Sequence, residues 1–322
     1  MSENVSTTMN GTQPSSCYWN PTAQKIGLTF AYCLVFIVSL AANSVIGIIV
    51  YKTQTMRKPI NFFIINVAVS DLLFSIFFIP QEIQRLYMNS WLIGGPLGQA
   101  LCKMDGFILE ISAAVSVQSL VLIAVDRFGA VVYPLRSPLI SSKLCPFFIL
   151  ATWIVAIAFQ SPKLFVHELV EYPGELVCER HWNEVFRESS SSENYIASYI
   201  VVFKFIPLVL IAILYTIIYL KLKSQKIPGE QSANARQQRQ QRERNVLKMA
   251  IAIVVGFPVR WLPFAIGWII TSFTTTNPLA NCGFLHFVCA AHFIALANCA
   301  INPCICFIFS GNYRKELKAL VR

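Results

Sequence analysis

Charge is what this chain has least of. Asp, Glu, Lys and Arg together make up 13% of its 322 residues, about half the ~25% of an ordinary soluble domain. A soluble globular protein is excluded by that scarcity together with long uncharged apolar runs. Several other features are missing. No nucleophile–base set, phosphate-binding loop or metal cluster appears, so enzymatic activity has no support. Cys304-x-Cys306 is too short for C-x-x-C geometry and lies in an apolar run, which argues against metal binding there. Internal repeats are absent, which argues against a transporter. No small-residue cleavage site precedes the first apolar run, so that run is expected to act as its own insertion signal.

What is present is hydrophobic. Apolar residues make up 55% of the chain and the mean hydropathy is +0.57. Seven apolar runs lie near 26–51, 60–88, 99–133, 144–166, 195–222, 243–273 and 283–308. Each reaches the roughly 20 residues needed to cross a bilayer as a helix. An amphipathic basic segment, 311–321, follows and is expected to lie on membrane lipid. The fold class is therefore an all-α membrane protein: a seven-transmembrane helix bundle with a short amphipathic eighth helix. The chain divides into a polar segment 1–25, a membrane domain 26–308, and an amphipathic helix with a short tail, 309–322.

The net charge of +10 does not point to nucleic acid, because the basic residues gather between apolar runs. Lys52, Arg57 and Lys58 lie in the first connection, Arg136 and Lys143 in the third, and seven cations, Lys221 to Arg244, in the fifth. These belong on the cytoplasmic side. Between the fourth and fifth runs the balance reverses: Glu168, Glu171, Glu175, Glu179, Glu184, Glu188 and Glu193 stand against Arg180 and Arg187. The expected topology is a multi-pass plasma-membrane protein with an extracellular amino terminus and a cytoplasmic carboxyl terminus. Asn4 and Asn10 then head extracellular glycosylation triplets. Cys17, Cys102, Cys178 and Cys282 lie in polar stretches or at helix ends and could form two disulfides if extracellular.

The third run organises the rest. Cys102 opens it, and Asp126-Arg127 closes fifteen uncharged residues, Ile111 to Val125. At about 1.5 Å per helical residue, Cys102 and Arg127 stand roughly 37 Å apart, close to a full bilayer of about 40–45 Å. Leu109, Ala113, Ser116, Leu120, Ile123 and Arg127 share one helical stripe. Its small and polar members suit close helix packing.

The ordered motifs resemble those of the rhodopsin-like G-protein-coupled receptors along nearly the whole chain. They are A-A-N-S-V with Asn43, N-V-A-V-S-D-L-L with Asp71, Asp126-Arg127-Phe128, Tyr133-Pro134-Leu135, Trp153, Pro207 with Tyr215, F-P-V-R-W-L-P with Trp261 and Pro263, and N-C-A-I-N-P-C-I-C with Asn302 and Pro303. Three stretches, N-F-F-I-I-N-V-A-V-S-D, A-V-V-Y-P-L-R and G-N-Y-R-K-E-L, are similar to the neuropeptide branch.

The resemblance implies roles. Asp126, Arg127, Tyr215, Glu243, Trp261, Pro263 and Pro303 would form the activation switch, with Arg127 held by Asp126 and Glu243. A sodium ion, the sole metal expected, would sit among Asp71, Ser116, Asn298 and Asn302; all four offer the oxygen donors a hard cation needs. A disulfide would join Cys102 to Cys178, and a second, found in some peptide receptors, Cys17 to Cys282.

Three departures stand out. Phe128 replaces the usual tyrosine, Cys306 replaces the last tyrosine of the seventh-helix motif, and Lys204 and Arg260 are intramembrane cations that need partners. Glu110 is one candidate partner for Lys204.

For the ligand, Leu109 stands where an amine receptor has its aspartate, and Leu296 where an opsin has its lysine. A peptide or a non-amine small molecule remains. The acidic loop would steer a basic ligand, and Gln81, Glu82, Leu109, Glu110, Tyr199, Trp268 and His292 suit an amidated, Arg-containing peptide. The expected partners are that peptide, a heterotrimeric G protein and lipid. After the seventh run Ser310 is the only serine and no threonine follows it, so weak arrestin recruitment is expected. A non-signalling scavenger of the same fold is the alternative.

Overall fold

The computed structural model describes residues 21–88, 90–134, 138–186, 191–224, 248, 251–252, 255–267, 269–271 and 281–321. Five helices among them are long and apolar enough to cross a membrane. They are α1 (Pro21–Lys52), α2 (Pro59–Tyr87), α3 (Gly95–Val132), α4 (Cys145–Gln160, extended by a short helical turn to Val166) and α5 (191–224). An apolar helix, α6 (Val255–Thr271), follows, and then α7, built of Cys282–Leu296 and Asn298–Phe309 with a 54° bend between them. A last helix, α8, spans Gly311–Val321. Glu243, Trp268, Cys17, Asn4 and Asn10 lie outside the described residues.

Burial separates the centre of the bundle from its rim. The most apolar windows of α2 and α3 are 61% and 56% buried, against 28% for α1 and 17% for α5. The central helices therefore give most of their surface to other helices. The rim helices turn Phe30, Leu34, Ile37, Phe205, Ile206 and Ile213 outward, as a lipid-facing surface requires. Asn66 ties the centre together: its amide nitrogen donates to Ser119 (2.9 Å) on α3 and Thr152 (3.1 Å) on α4, and its oxygen accepts from the Trp153 indole (2.8 Å).

Prolines shape three helices, because each removes one backbone donor. Pro80 lies inside α2. Pro207 cannot donate to the carbonyl four residues back, Phe203. Just before it, α5 winds as a π-helix over Val201–Phe205, and the Ile206 N–H reaches Val201 O instead. Pro303 likewise leaves the Cys299 carbonyl without its helical donor. Asn43 of α1 supplies one through Nδ2 at 3.0 Å.

Between α4 and α5 the chain leaves the bundle as an antiparallel hairpin, β1 (His167–Tyr172) and β2 (Glu175–Arg180). Pro173 and Gly174 make the turn. Gly174 has φ +90°, as the third residue of a type II turn demands. A disulfide joins Cys178 to Cys102 at the start of α3, and the Leu169 N–H donates to Gln99 Oε1 at 2.8 Å. The hairpin is thus tied to α3 on both strands.

At the opposite end of the bundle, Tyr313 of α8 is buried and donates to Asn61 Oδ1 of α2 at 3.1 Å. Asn61 in turn donates to Met56 O at 2.6 Å. The amphipathic helix is therefore stapled to the bundle by a specific contact as well as by its apolar face.

Candidate functional site

Under the hairpin, α2, α3, α5 and α7 bring charged groups together. Glu82, on α2, is buried. His292 of α7 contacts it through Nε2 at 2.8 Å, and Arg85, one turn along α2, also pairs with it. Arg85 then reaches Asp105 of α3 at 2.8 Å. With its amide nitrogen toward α3, Gln81 donates to Asp105 Oδ2 at 3.1 Å. Two acids and one guanidinium thus alternate along the network, with His292 at one end and Gln81 at the other. Phe264 of α6 lies 5.3 Å from the His292 ring.

A second charged group lies on the α4–α5 side. Glu110 of α3 pairs with Lys163 Nζ at 3.1 Å. Glu110 also acts electrostatically on Lys204, but its direct ion pair is with Lys163. Lys204, in the π-helical segment, instead places Nζ among the rings of Trp261 (4.9 Å), Tyr199 and Phe257 (both 5.5 Å). An ammonium is attracted to such ring faces, by about 2 kcal/mol or more when desolvated. Nothing in the sequence pattern pointed to Lys163 as the cation for Glu110, because it lies fifty-three positions away at the end of α4. Leu109 faces neither network. It packs in the apolar cluster of Tyr32, Phe74, Phe78 and Leu296.

Above these networks stands the hairpin. Glu168 and Glu179 face each other in register, and like charges so placed repel. Glu168, Glu171 and Glu175 are exposed. Tyr172 donates to Glu179 at 2.9 Å, a bond that pushes its hydroxyl pKa up. Burial, with Lys163 and Arg180 nearby, holds His167 below the usual histidine value. Its ring lies against Gly106, where any Cβ would come within 3.1 Å of it.

Deeper in the bundle, Asp71, Asn298 and Asn302 are buried and share one hydrogen-bonded group. Asn302 Nδ2 donates to Asp71 Oδ2 at 3.1 Å. Arg260 of α6, which stood apart in the sequence as a cation without a partner, joins the same group. Its Nε donates to Asn298 Oδ1 at 2.8 Å and its Nη2 to Asn302 Oδ1 at 3.0 Å. Ser116 is buried but turned to Ser70, 2.7 Å away. Ser70 already donates to Val67 O, so Ser116 is the donor in that pair. The four expected sodium ligands therefore divide into a group of three and Ser116, with Arg260 added.

At the α8 end, Arg127 is paired with Asp126. The Tyr215 hydroxyl is buried with no hydrogen-bond partner among the described residues. Cys306 is buried in the core beside Phe63, Ile123 and Tyr313, and a small cavity adjoins it, lined also by Asn43, Ile64, Asn302 and Pro303.

This arrangement can be compared with known proteins. A family model described as 7 transmembrane receptor (rhodopsin family) matches residues 42–305, most of the chain. The chain belongs to the rhodopsin family of seven-transmembrane receptors. It is a multi-pass membrane protein, and the bent α7 and the α6 helix complete its bundle with the five longer spans. It is similar to the RYamide receptor of Drosophila melanogaster, at 29% identity over 94% of this chain and 65% of that receptor. It is also similar to a QRFP-like peptide receptor of Branchiostoma floridae, at 29% over 94% of this chain and 79% of that one. Neuropeptide FF receptor 2 of Mus musculus is 32% identical over 88% of this chain and 70% of that receptor. The receptor thus spans about two thirds of the length of the first of these relatives. The Cys102–Cys178 bridge expected from the sequence is formed. Cys282 is also disulfide-bonded, while Cys17, its expected partner, lies outside the described residues.

Proposed function

We propose that this receptor binds an extracellular basic or amidated neuropeptide and activates heterotrimeric G proteins. One observation carries the reading. A hairpin with exposed glutamates is covalently fixed over two charged networks that contain Glu82, Asp105 and Glu110. Acid at the entrance raises the local concentration of a cationic ligand and speeds its association. The acids beneath are already paired with Arg85, Lys163 and His292, so a ligand's own cation can exchange with a resident one. Relatives named for RYamide, QRFP-like peptide and neuropeptide FF support the same ligand class.

In this reading the hairpin and the amino terminus are extracellular, and α8 lies on cytoplasmic membrane lipid. Arg127 engages the G protein once its contact with Asp126 opens. A non-amine small-molecule ligand and a scavenger role are the less supported readings.

The test is a library of amidated peptides applied to cells expressing the full chain, read with several G-protein reporters. Activation by basic amidated peptides is expected. A response confined to acidic or neutral small molecules would overturn the ligand class. Binding without nucleotide exchange would favour the scavenger.

A further inference from the structure

A charged side chain inside a bilayer is expensive and is kept only with partners. This receptor holds two of opposite sign, Asp71 on α2 and Arg260 on α6, 4% and 7% exposed. They do not touch. Asn302 stands between them, and the direction of its amide decides what it transmits. Its oxygen accepts from the guanidinium (3.0 Å) and its nitrogen donates to the carboxylate (3.1 Å). The second amide oxygen, of Asn298, also accepts from Arg260 (2.8 Å). A guanidinium has only donors, so both carbonyl oxygens that could serve a metal ion are turned toward it.

The helix is shaped for this guest. Gly256 lies one turn before Arg260, and a Cβ there would come within 2.7 Å of Arg260 Nη1. A glycine inside a helix costs about 0.5–1 kcal/mol relative to alanine. Here its missing side chain is the space the guanidinium occupies. Ser116, the remaining expected ion ligand, has its hydroxyl against Ser70 and, among the described residues, makes no hydrogen bond to Asp71, Asn298 or Asn302.

The donor set therefore does not fit a sodium ion while Arg260 is in place. We propose that Arg260 is the resident cation of the Asp71 site. It substitutes for sodium, makes the receptor indifferent to that ion, and ties α6 to α7 and α2. Movement of α6 away from α7 must first release both amide oxygens. The proposal holds whatever the ligand is.

The experiment uses the purified full chain in detergent, with sodium or potassium chloride as the probe at a fixed ionic strength of about 0.15 M. Melting temperature is the readout. The native receptor is expected to melt at the same temperature in both salts. Arg260→Met, which keeps the bulk and removes the charge, is expected to gain a sodium-specific rise of about 2–4 °C. A second measurement uses no sodium. In potassium, Asp71→Asn lowers the melting temperature, and Asp71→Asn/Arg260→Met recovers part of the loss. Sodium-specific stabilisation of the native receptor would overturn the proposal, as would a folded Arg260→Met with no sodium response. Strictly additive losses in the double variant would overturn the charge coupling. Should Arg260→Met fail to fold, the native comparison decides alone.

Discussion

Asn43 of α1 donates to the carbonyl oxygen of Cys299 at 3.0 Å, the carbonyl that Pro303, four residues on, cannot serve. One helix thus completes the hydrogen bonding of another. Asn43→Ala leaves that buried carbonyl short of a donor, which costs about 1–3 kcal/mol. In a Pro303→Ala background the helix supplies its own donor, so the loss on removing Asn43 should shrink. Thermal unfolding of the four proteins in the cycle checks this; equal losses in both backgrounds would disprove the repair.

Glu110 and Lys163 form a pair whose side chains are 25% and 16% exposed, with 3.1 Å between charges. Removing one member of a fully buried pair costs roughly 3–5 kcal/mol, and removing both costs less. Partial exposure moves this pair toward or below the lower end. Glu110→Gln is therefore expected to reduce melting temperature and surface expression, and Glu110→Gln/Lys163→Met to regain part of both. A double variant worse than the single one would show that each residue has a separate partner.

Glu168 and Glu179 lie opposite one another in the hairpin. Neutralising one, as in Glu168→Gln, should leave stability unchanged or raise it by a few tenths of a kcal/mol. The same change should slow association of a basic peptide and flatten its salt dependence, since steering is screened over about 10 Å at 0.1 M salt. Association rates across a salt series measure this. Identical slopes for native and variant would mean the hairpin charge is only a solvated cover.

His167 contributes a pH dependence with a definite sign. Burial lowers its pKa in the folded protein, so near pH 6.5 and below the unfolded chain takes up a proton that the folded chain resists. Stability falls as pH drops below the unfolded value, continues falling until the folded-state value is reached, and is independent of His167 well above pH 6.5. His167→Asn should melt with a shallower loss between pH 7 and 5 than the native receptor. Parallel pH profiles would place the acid sensitivity in other groups.

The spans and the disulfide were legible in the sequence because they depend on composition and on motif order. Runs of apolar residues announce α1 to α5 wherever they pack, and Cys102 and Cys178 follow their flanking motifs. Side-chain partnerships were less legible. The sequence grouped Asp71, Ser116, Asn298 and Asn302; three of them share one hydrogen-bonded group and Ser116 stands apart, and what the three hold depends on the rotamer of Arg260 and on room made by Gly256. That glycine, one turn before a buried arginine, was the available signal. Charge offered Glu110 as one candidate partner for Lys204, and the two do interact electrostatically, but not as a direct ion pair. The π-helical turn before Pro207 instead directs Lys204 to aromatic rings, and Lys163 reaches Glu110 from the end of α4. Nothing in the sequence pointed to the Tyr313 contact, since only the folded chain shows Asn61 placed to accept from its hydroxyl.

Arg260 also bears on how the receptor is made. An arginine near the middle of a membrane helix adds about 2.5–3.5 kcal/mol to the free energy of insertion, and α6 already contains Pro258 and Pro263. The oxygens that offset this burden belong to Asn298 and Asn302, which leave the ribosome after α6 does. During biogenesis α6 therefore depends on a helix that has yet to be synthesised, and its final integration is coupled to the arrival of α7.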